Sequence, residues 1–241
     1  MNIIVKYKSI WFLSYFNSEY TYTSFDIIPK YNNLVYLDCS ENHLSSLPEL
    51  PNSLKKLHCW NNQLTSLPVL PNSLRELICS INKLSSLPNI PNTLIELVCN
   101  YNQLTLLPKL PKSIKTISCH NNNLTELPKL PNSLKYFNCG ENQLIEFPEL
   151  PNSLKRLICS NNQLTKLTKL PELPNLLQYI DCHNNKLTSL PELPNSLQIL
   201  FCYNNQLTYL PKLPNSLQEL YDDDNNFIKT IKYKYLQNII Y

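Results

Sequence analysis

The segment Leu54-Lys-Lys-Leu-His-Cys-Trp-Asn-Asn-Gln-Leu64 sets the pattern for most of the chain, because LxxLxCxxNxL returns every 20 residues. Cysteine stands at Cys39, Cys59, Cys79, Cys99, Cys119, Cys139 and Cys159, then at Cys182 and Cys202, with one step of 23. Asparagine follows three residues after each, at Asn42, Asn62, Asn82, Asn102, Asn122, Asn142, Asn162, Asn185 and Asn205. Asn225 holds the same place in a last unit whose cysteine is replaced by Asp222. Ten full units begin at Leu34, Leu54, Leu74, Leu94, Ile114, Leu134, Leu154, Leu177, Leu197 and Leu217. A fixed period of this length marks a solenoid, in which each unit is covered by its neighbours.

The long step lies in Leu164-Thr-Lys-Leu-Thr-Lys-Leu170, where a Leu-x-x triplet is repeated before Pro171. The insertion falls outside LxxLxC, so the strand register is expected to survive it. Upstream, Phe25-Asp-Ile-Ile-Pro-Lys-Tyr31 reads as a decayed half-unit, which assigns residues 25–227 to repeats and 1–24 to an N-terminal cap. Downstream, Ile228, Ile231, Tyr235 and Ile239 recur at helical spacing among Lys229, Lys232 and Lys234. That spacing predicts an amphipathic capping helix within 228–241.

Strand alternation over about Lys56 to Cys59 turns Leu57 and Cys59 inward and leaves Lys56, His58 and Trp60 outside. So short a strand cannot close a core of its own, and stacking becomes obligatory. Pro48 and Pro51, with their later counterparts, fix φ and remove amide donors. They favour extended or polyproline segments on the convex side, opposite a parallel sheet lining the concave side. An inward asparagine offers two donors and an acceptor to turn backbone that would otherwise be buried unpaired.

These motifs carry a family resemblance. LxxLxCxxNxL resembles the leucine-rich-repeat signature with cysteine at a position usually apolar, over about residues 25–227. The resemblance implies an α/β-horseshoe-class solenoid, here mostly β, whose asparagines form a ladder. The LPxLPNS tail, as in Leu67-Pro-Val-Leu-Pro-Asn-Ser73, is similar to the 20-residue subclass of bacterial effectors delivered into host cells. Some members carry a ubiquitin-ligase domain after the repeats; this sequence stops at Tyr241, shortly past its last unit, and that activity is not carried over. The Asn, Lys, Ile and Tyr bias also resembles that of repeat proteins of large amoebal DNA viruses.

Composition narrows the function classes. Nineteen prolines against the single Gly140 leave no material for a glycine-rich phosphate loop. A net charge of +3, with lysine spread along 241 residues, makes nucleic acid the weaker reading. MNIIVKYKSIWFLSYF lacks a small-residue cleavage site and any run near 18 apolar residues, so it reads as folded protein without a transmembrane segment. Nine cysteines, none in a CxxC pair, argue against a complete disulfide framework or a zinc site and for a reducing, intracellular setting.

The cysteine column invites thoughts of metals or oxidation, but thiols facing a leucine core serve as small hydrophobes. Asp181-Cys182-His183 resembles catalytic chemistry in miniature, yet alternation puts the thiol inside and its neighbours outside. His58, His120 and His183 fall on exposed positions several rungs apart and are expected to be solvated. Asp222-Asp-Asp224 lacks the glycine and final glutamate of a calcium loop. No convergent acid, base, nucleophile or metal cluster results, so neither an enzyme nor a cofactor is expected.

The remaining information lies on outward strand positions. Lys55, Lys56, Arg75, Lys115, Lys135, Lys155 and Arg156 give a basic edge interrupted by Glu76 and Glu96. Later units turn aromatic, with Tyr179, Ile199, Phe201, Tyr203 and Tyr221. Rigid aromatics and arginine are enriched at interface hot spots. These residues predict a protein or peptide partner, held by a monomer; the alternative is a polyanion, RNA or an acidic membrane surface, along the basic edge. The resemblance to effectors implies a host cytoplasm as the place of action.

Overall fold

The computed structural model describes residues 4–7, 34–167 and 172–227. The half-unit at 25–31, the capping helix expected at 228–241, most of the N-terminal cap and part of the inserted triplet lie outside the described residues. The chain forms two compact units, Met1–Leu124 and Thr125–Tyr241.

In the first unit, β1 (Ile4–Tyr7) runs antiparallel to β2 (Leu34–Asp38), with a register shift between Lys6 and Tyr7. From β2 onward β3 (Lys56–His58), β4 (Glu76–Ile78), β5 (Glu96–Val98) and β6 (Thr116–Ser118) are parallel, each paired with its predecessor. Leu37, Leu57, Leu77, Leu97 and Ile117 therefore share one column. The second unit repeats the scheme with β7 (Tyr136–Asn138), β8 (Arg156–Ile158), β9 (Tyr179–Asp181), β10 (Ile199–Phe201) and β11 (Glu219–Tyr221). Arg156 pairs with Tyr179 across the long step, so the insertion leaves the register intact, as its position outside the strand requires. No helix occurs among the described residues.

The inward columns make the core. Leu54, Leu57, Cys59 and Leu64 have no exposed surface, and the same holds for their counterparts through Leu197, Leu200, Cys202 and Leu207. All nine cysteines are buried free thiols. The assigned strand ends at His58, one residue short of the expected span, yet Cys59 still faces inward and its amide still donates to Ile78 O at 2.8 Å. Between the strands the described backbone carries turns, bends and irregular segments without helix, apart from one parallel bridge between Glu172 and Glu192. The absence of two amides per unit at the prolines explains why no helix forms there.

Backbone polarity is satisfied mostly between rungs. Lys55 N donates to Val35 O at 2.9 Å and Arg75 N to Lys55 O at 2.8 Å. Asn62 spans two rungs: its Nδ2 donates to Cys39 O at 3.0 Å and to Cys59 O at 3.2 Å, while its Oδ1 accepts from Leu44 N at 2.9 Å. Asn102, Asn122 and Asn162 repeat this set, which is the asparagine ladder the resemblance implied. A second ladder went unread in the sequence. The hydroxyl of Ser53 donates to Leu34 O at 2.6 Å, and Ser153 and Ser216 do the same to Leu134 O and Leu197 O at 2.6 Å. This serine, or Thr93 in its place, thus ties a rung to the leucine carbonyl of the one before, except after the long step, where Leu176 has no hydroxyl.

The residue preceding each ladder asparagine takes left-handed backbone. Asn61 (φ 52°), Asn121 (53°), Asn161 (55°), Asn184 (53°) and Asn204 (51°) suit it, since asparagine tolerates this region better than most residues. Ile81 adopts φ 55° in the same column, where a β-branched side chain is strained.

Candidate functional site

Strands one spacing apart bring same-column side chains of successive rungs into contact. In the first unit the exposed face of the sheet is polar. Lys56 Nζ lies 2.6 Å from Glu76 Oε2, and His58 Nε2 lies 2.6 Å from Glu76 Oε1. On the other side of the imidazole, Tyr36 OH is 3.2 Å from His58 Nδ1 and 3.0 Å from Asp38 Oδ2. The hydroxyl has one proton, so it donates to one of the two at a time. Burial, then the Asp38 carboxylate, pushes the Tyr36 hydroxyl above its usual range. Burial also works to raise Glu76, but its bonds to Lys56 and His58 outweigh that and hold its carboxyl below the ordinary value.

The expectation that the three histidines are solvated is corrected here. His58 retains only 18% of its side-chain exposure between Tyr36 and Glu76. His120 packs edge-on against Tyr101, centroids 4.7 Å apart. His183 Nδ1 is 2.5 Å from Asp181 Oδ1 and its ring stacks on Tyr203 at 4.4 Å. Aligning adjacent units exposes the pairs of His58 with Tyr36 and Glu76, His120 with Tyr101 and His183 with Tyr203, whereas Asp181 bonds His183 along the outside of one rung. Cys182, between Asp181 and His183 in sequence, is fully buried, so the three do not meet as a triad. Among the described residues no three His, Cys, Asp or Glu side chains are grouped to hold a metal ion, and no helix is long and apolar enough to cross a membrane.

In the second unit the face is aromatic. The Arg156 guanidinium lies 3.8 Å above the Tyr179 ring centroid. Tyr179 meets Phe201 at 5.8 Å, and Phe201 stacks on Tyr221 at 4.6 Å with ring planes within 7°. Ile199 lies between Tyr179 and Glu219 in the adjacent column, half-buried. Tyr203 joins through its stack on His183. Burial, with the nearby Asp181 carboxylate, raises the Tyr179 and Tyr203 hydroxyls. Arg156, Tyr179, Ile199, Phe201, Tyr203 and Tyr221 thus occupy neighbouring positions over β8 to β11.

The basic residues divide differently. Lys55, Arg75 and Lys115 are exposed in one column of the first unit, beside the Lys56 that is paired with Glu76. Lys135 and Lys155 are exposed on consecutive rungs of the second unit, Lys155 N donating to Lys135 O at 2.9 Å.

Comparison with known proteins agrees with this geometry. A family model of leucine-rich repeats in two copies matches residues 152–195. No curated protein matches the chain. YopM from Yersinia pestis, described as a leucine-rich effector protein, is 38% identical with a TM-score of 0.70, over 80% of this chain and 61% of that one. YopM from Yersinia enterocolitica is 34% identical with a TM-score of 0.65, over 81% and 52%. The LRR domain of a Shigella effector is 35% identical with a TM-score of 0.61, over 66% and 72%. The chain spans 52% to 61% of the length of the two YopM structures. This chain belongs to the leucine-rich-repeat family and is similar in fold to the repeat regions of bacterial effectors.

Proposed function

We propose that the chain is a non-enzymatic interaction module that holds a protein or peptide against the exposed sheet face of β8 to β11. The family's fold typically mediates protein–protein contacts. The observation that carries the proposal for this chain is the contiguous run Arg156–Tyr179–Phe201–Tyr221, with Tyr203 and Ile199 beside it. Rings already locked by stacking lose little rotamer freedom when a partner covers them, and aromatic and arginine anchors dominate binding energy at interfaces. The effector-like neighbours and nine free thiols support action inside a host cell, and in this reading the chain acts as a monomer.

The test is capture of partners from host-cell lysate by the wild-type chain and by the triple variant Phe201→Ser, Tyr203→Ser, Tyr221→Ser, read by mass spectrometry. Partners held by the wild type are lost by the variant while its unfolding midpoint stays within a few degrees. Undiminished capture would refute this face as the site. Binding of a polyanion along the whole basic edge is the weaker reading, since Glu76 neutralises Lys56.

A further inference from the structure

We infer that the segment bound on this face is a charge-ordered extended peptide, acidic at one end, aromatic or aliphatic between and basic at the other, lying across the strands from β7 to β11. This rests on the peptide-binding reading above and adds the partner's chemistry.

The charge distribution of the second unit carries the inference. At its β7–β8 end Lys135, Lys155 and Arg156 are all exposed, and none forms an ion pair among the described residues. The first unit differs, because Lys56 there is held by Glu76 at 2.6 Å. Lys135 and Lys155 leave the backbone one strand spacing apart, so an anion set against both relieves their repulsion. The Arg156 guanidinium lies over the Tyr179 ring, 3.8 Å from its centroid, and bonds with the Tyr179 side chain, which restrains it while further N–H groups stay available to a carboxylate.

At the β11 end the sign reverses. Glu219, Asp223 and Asp224 are exposed there, and no cation among the described residues pairs with them. Between the two ends lie Tyr179, Ile199, Phe201 and Tyr203, with the Asp181 carboxylate of β9 held by His183, and Tyr221 stands beside Glu219 on β11. A face that is basic, then apolar, then acidic is complementary to a ligand with the opposite order. The distance fits a short segment. Four strand spacings of about 4.8 Å make roughly 19 Å, the span of about six extended residues at about 3.3 Å each. A nucleic acid long enough to reach the aromatic rings meets the Glu219 and Asp223 carboxylates and is repelled.

The experiment measures fluorescence anisotropy of three labelled peptides titrated with the full chain at physiological salt. The charge-ordered probe is Asp-Glu-Leu-Phe-Tyr-Leu-Lys-Lys. The controls keep its centre but carry acidic residues at both ends, or serine and asparagine at both ends. The charge-ordered peptide binds at least about tenfold more tightly than either control. The double variant Lys155→Glu, Arg156→Glu abolishes that advantage, whereas Lys55→Glu with Lys115→Glu, in the other unit, leaves it. Equal binding of the neutral-ended peptide overturns the charge order while peptide binding itself stands. Survival of the advantage in the Lys155→Glu, Arg156→Glu variant, tighter binding of a short poly(U) RNA, or no binding by any peptide also overturns the inference. The lysate capture by the Phe201 variant reports separately on the face as a protein-binding site.

Discussion

The carboxamide oxygen of Asn122 lies 3.0 Å from the amide of Leu104, one rung earlier, and accepts its hydrogen. The same side chain donates to Cys99 O at 3.0 Å and to Cys119 O at 3.1 Å, so one residue fastens two rungs. Asn122 is 8% exposed, and removing its amide leaves those groups without water to replace it. Asn122→Ala therefore lowers stability by about 1 to 3 kcal/mol in urea unfolding. An unchanged midpoint contradicts the ladder role.

Ile81 supplies a prediction of the opposite sign. Its φ of 55° is the left-handed conformation that Asn61 adopts one rung earlier and Asn121 two rungs later, and the residue is 44% exposed. Replacing it relieves backbone strain at small cost in burial. Ile81→Asn raises stability by about 1 kcal/mol, seen as a higher denaturation midpoint.

The buried thiols set the alkaline limit. Burial pushes the Cys79 thiol up to about 12, and Cys39 and Cys202 likewise to about 12, burial again leading. In the unfolded chain thiols ionise near about 8.5. Between these values the unfolded state has released protons that the folded state keeps. Stability is thus full below about pH 8.5 and falls as pH rises toward 12, by about 1.4 kcal/mol per pH unit for each thiol. Cys79→Ala makes the decline shallower by one thiol's share in denaturation midpoints measured from pH 8 to 10.

Glu76 governs the acid side of the first unit. Its carboxyl is held below the ordinary value by Lys56 and His58 against the opposing effect of burial. The stability it contributes is present above the unfolded carboxyl value of about 4.3 and is lost as pH falls through the folded one. Between about pH 5 and 3 the wild type loses more stability than Glu76→Gln, as measured by thermal unfolding in that range.

What the sequence made legible follows from periodicity. The Leu, Cys and Asn columns, the inward thiols and the surviving register across the inserted triplet all come from aligning units, because a 20-residue repeat places like residues on like sites. The serine of LPNS was visible, but its acceptor, a leucine carbonyl one rung back, is a backbone group that no side-chain pattern announces. The left-handed column was hidden because Glu41, Ile81 and Tyr101 occupy it without glycine. The His58–Glu76 and His183–Asp181 bonds were missed by treating each histidine alone, although Glu76 stands one rung on from Lys56. On the aromatic face the sequence named the residues, and the structure added the stacking that joins Arg156, Tyr179, Phe201 and Tyr221.

Everything argued for the exposed face depends on the leucines and cysteines being turned away from it, into an interior shared by successive rungs. Thiol labelling with an aromatic disulfide reagent, with and without denaturant, tests this most directly. The account predicts that the nine cysteines react slowly in the native chain and together when it unfolds. Rapid labelling of most of them under native conditions would contradict it.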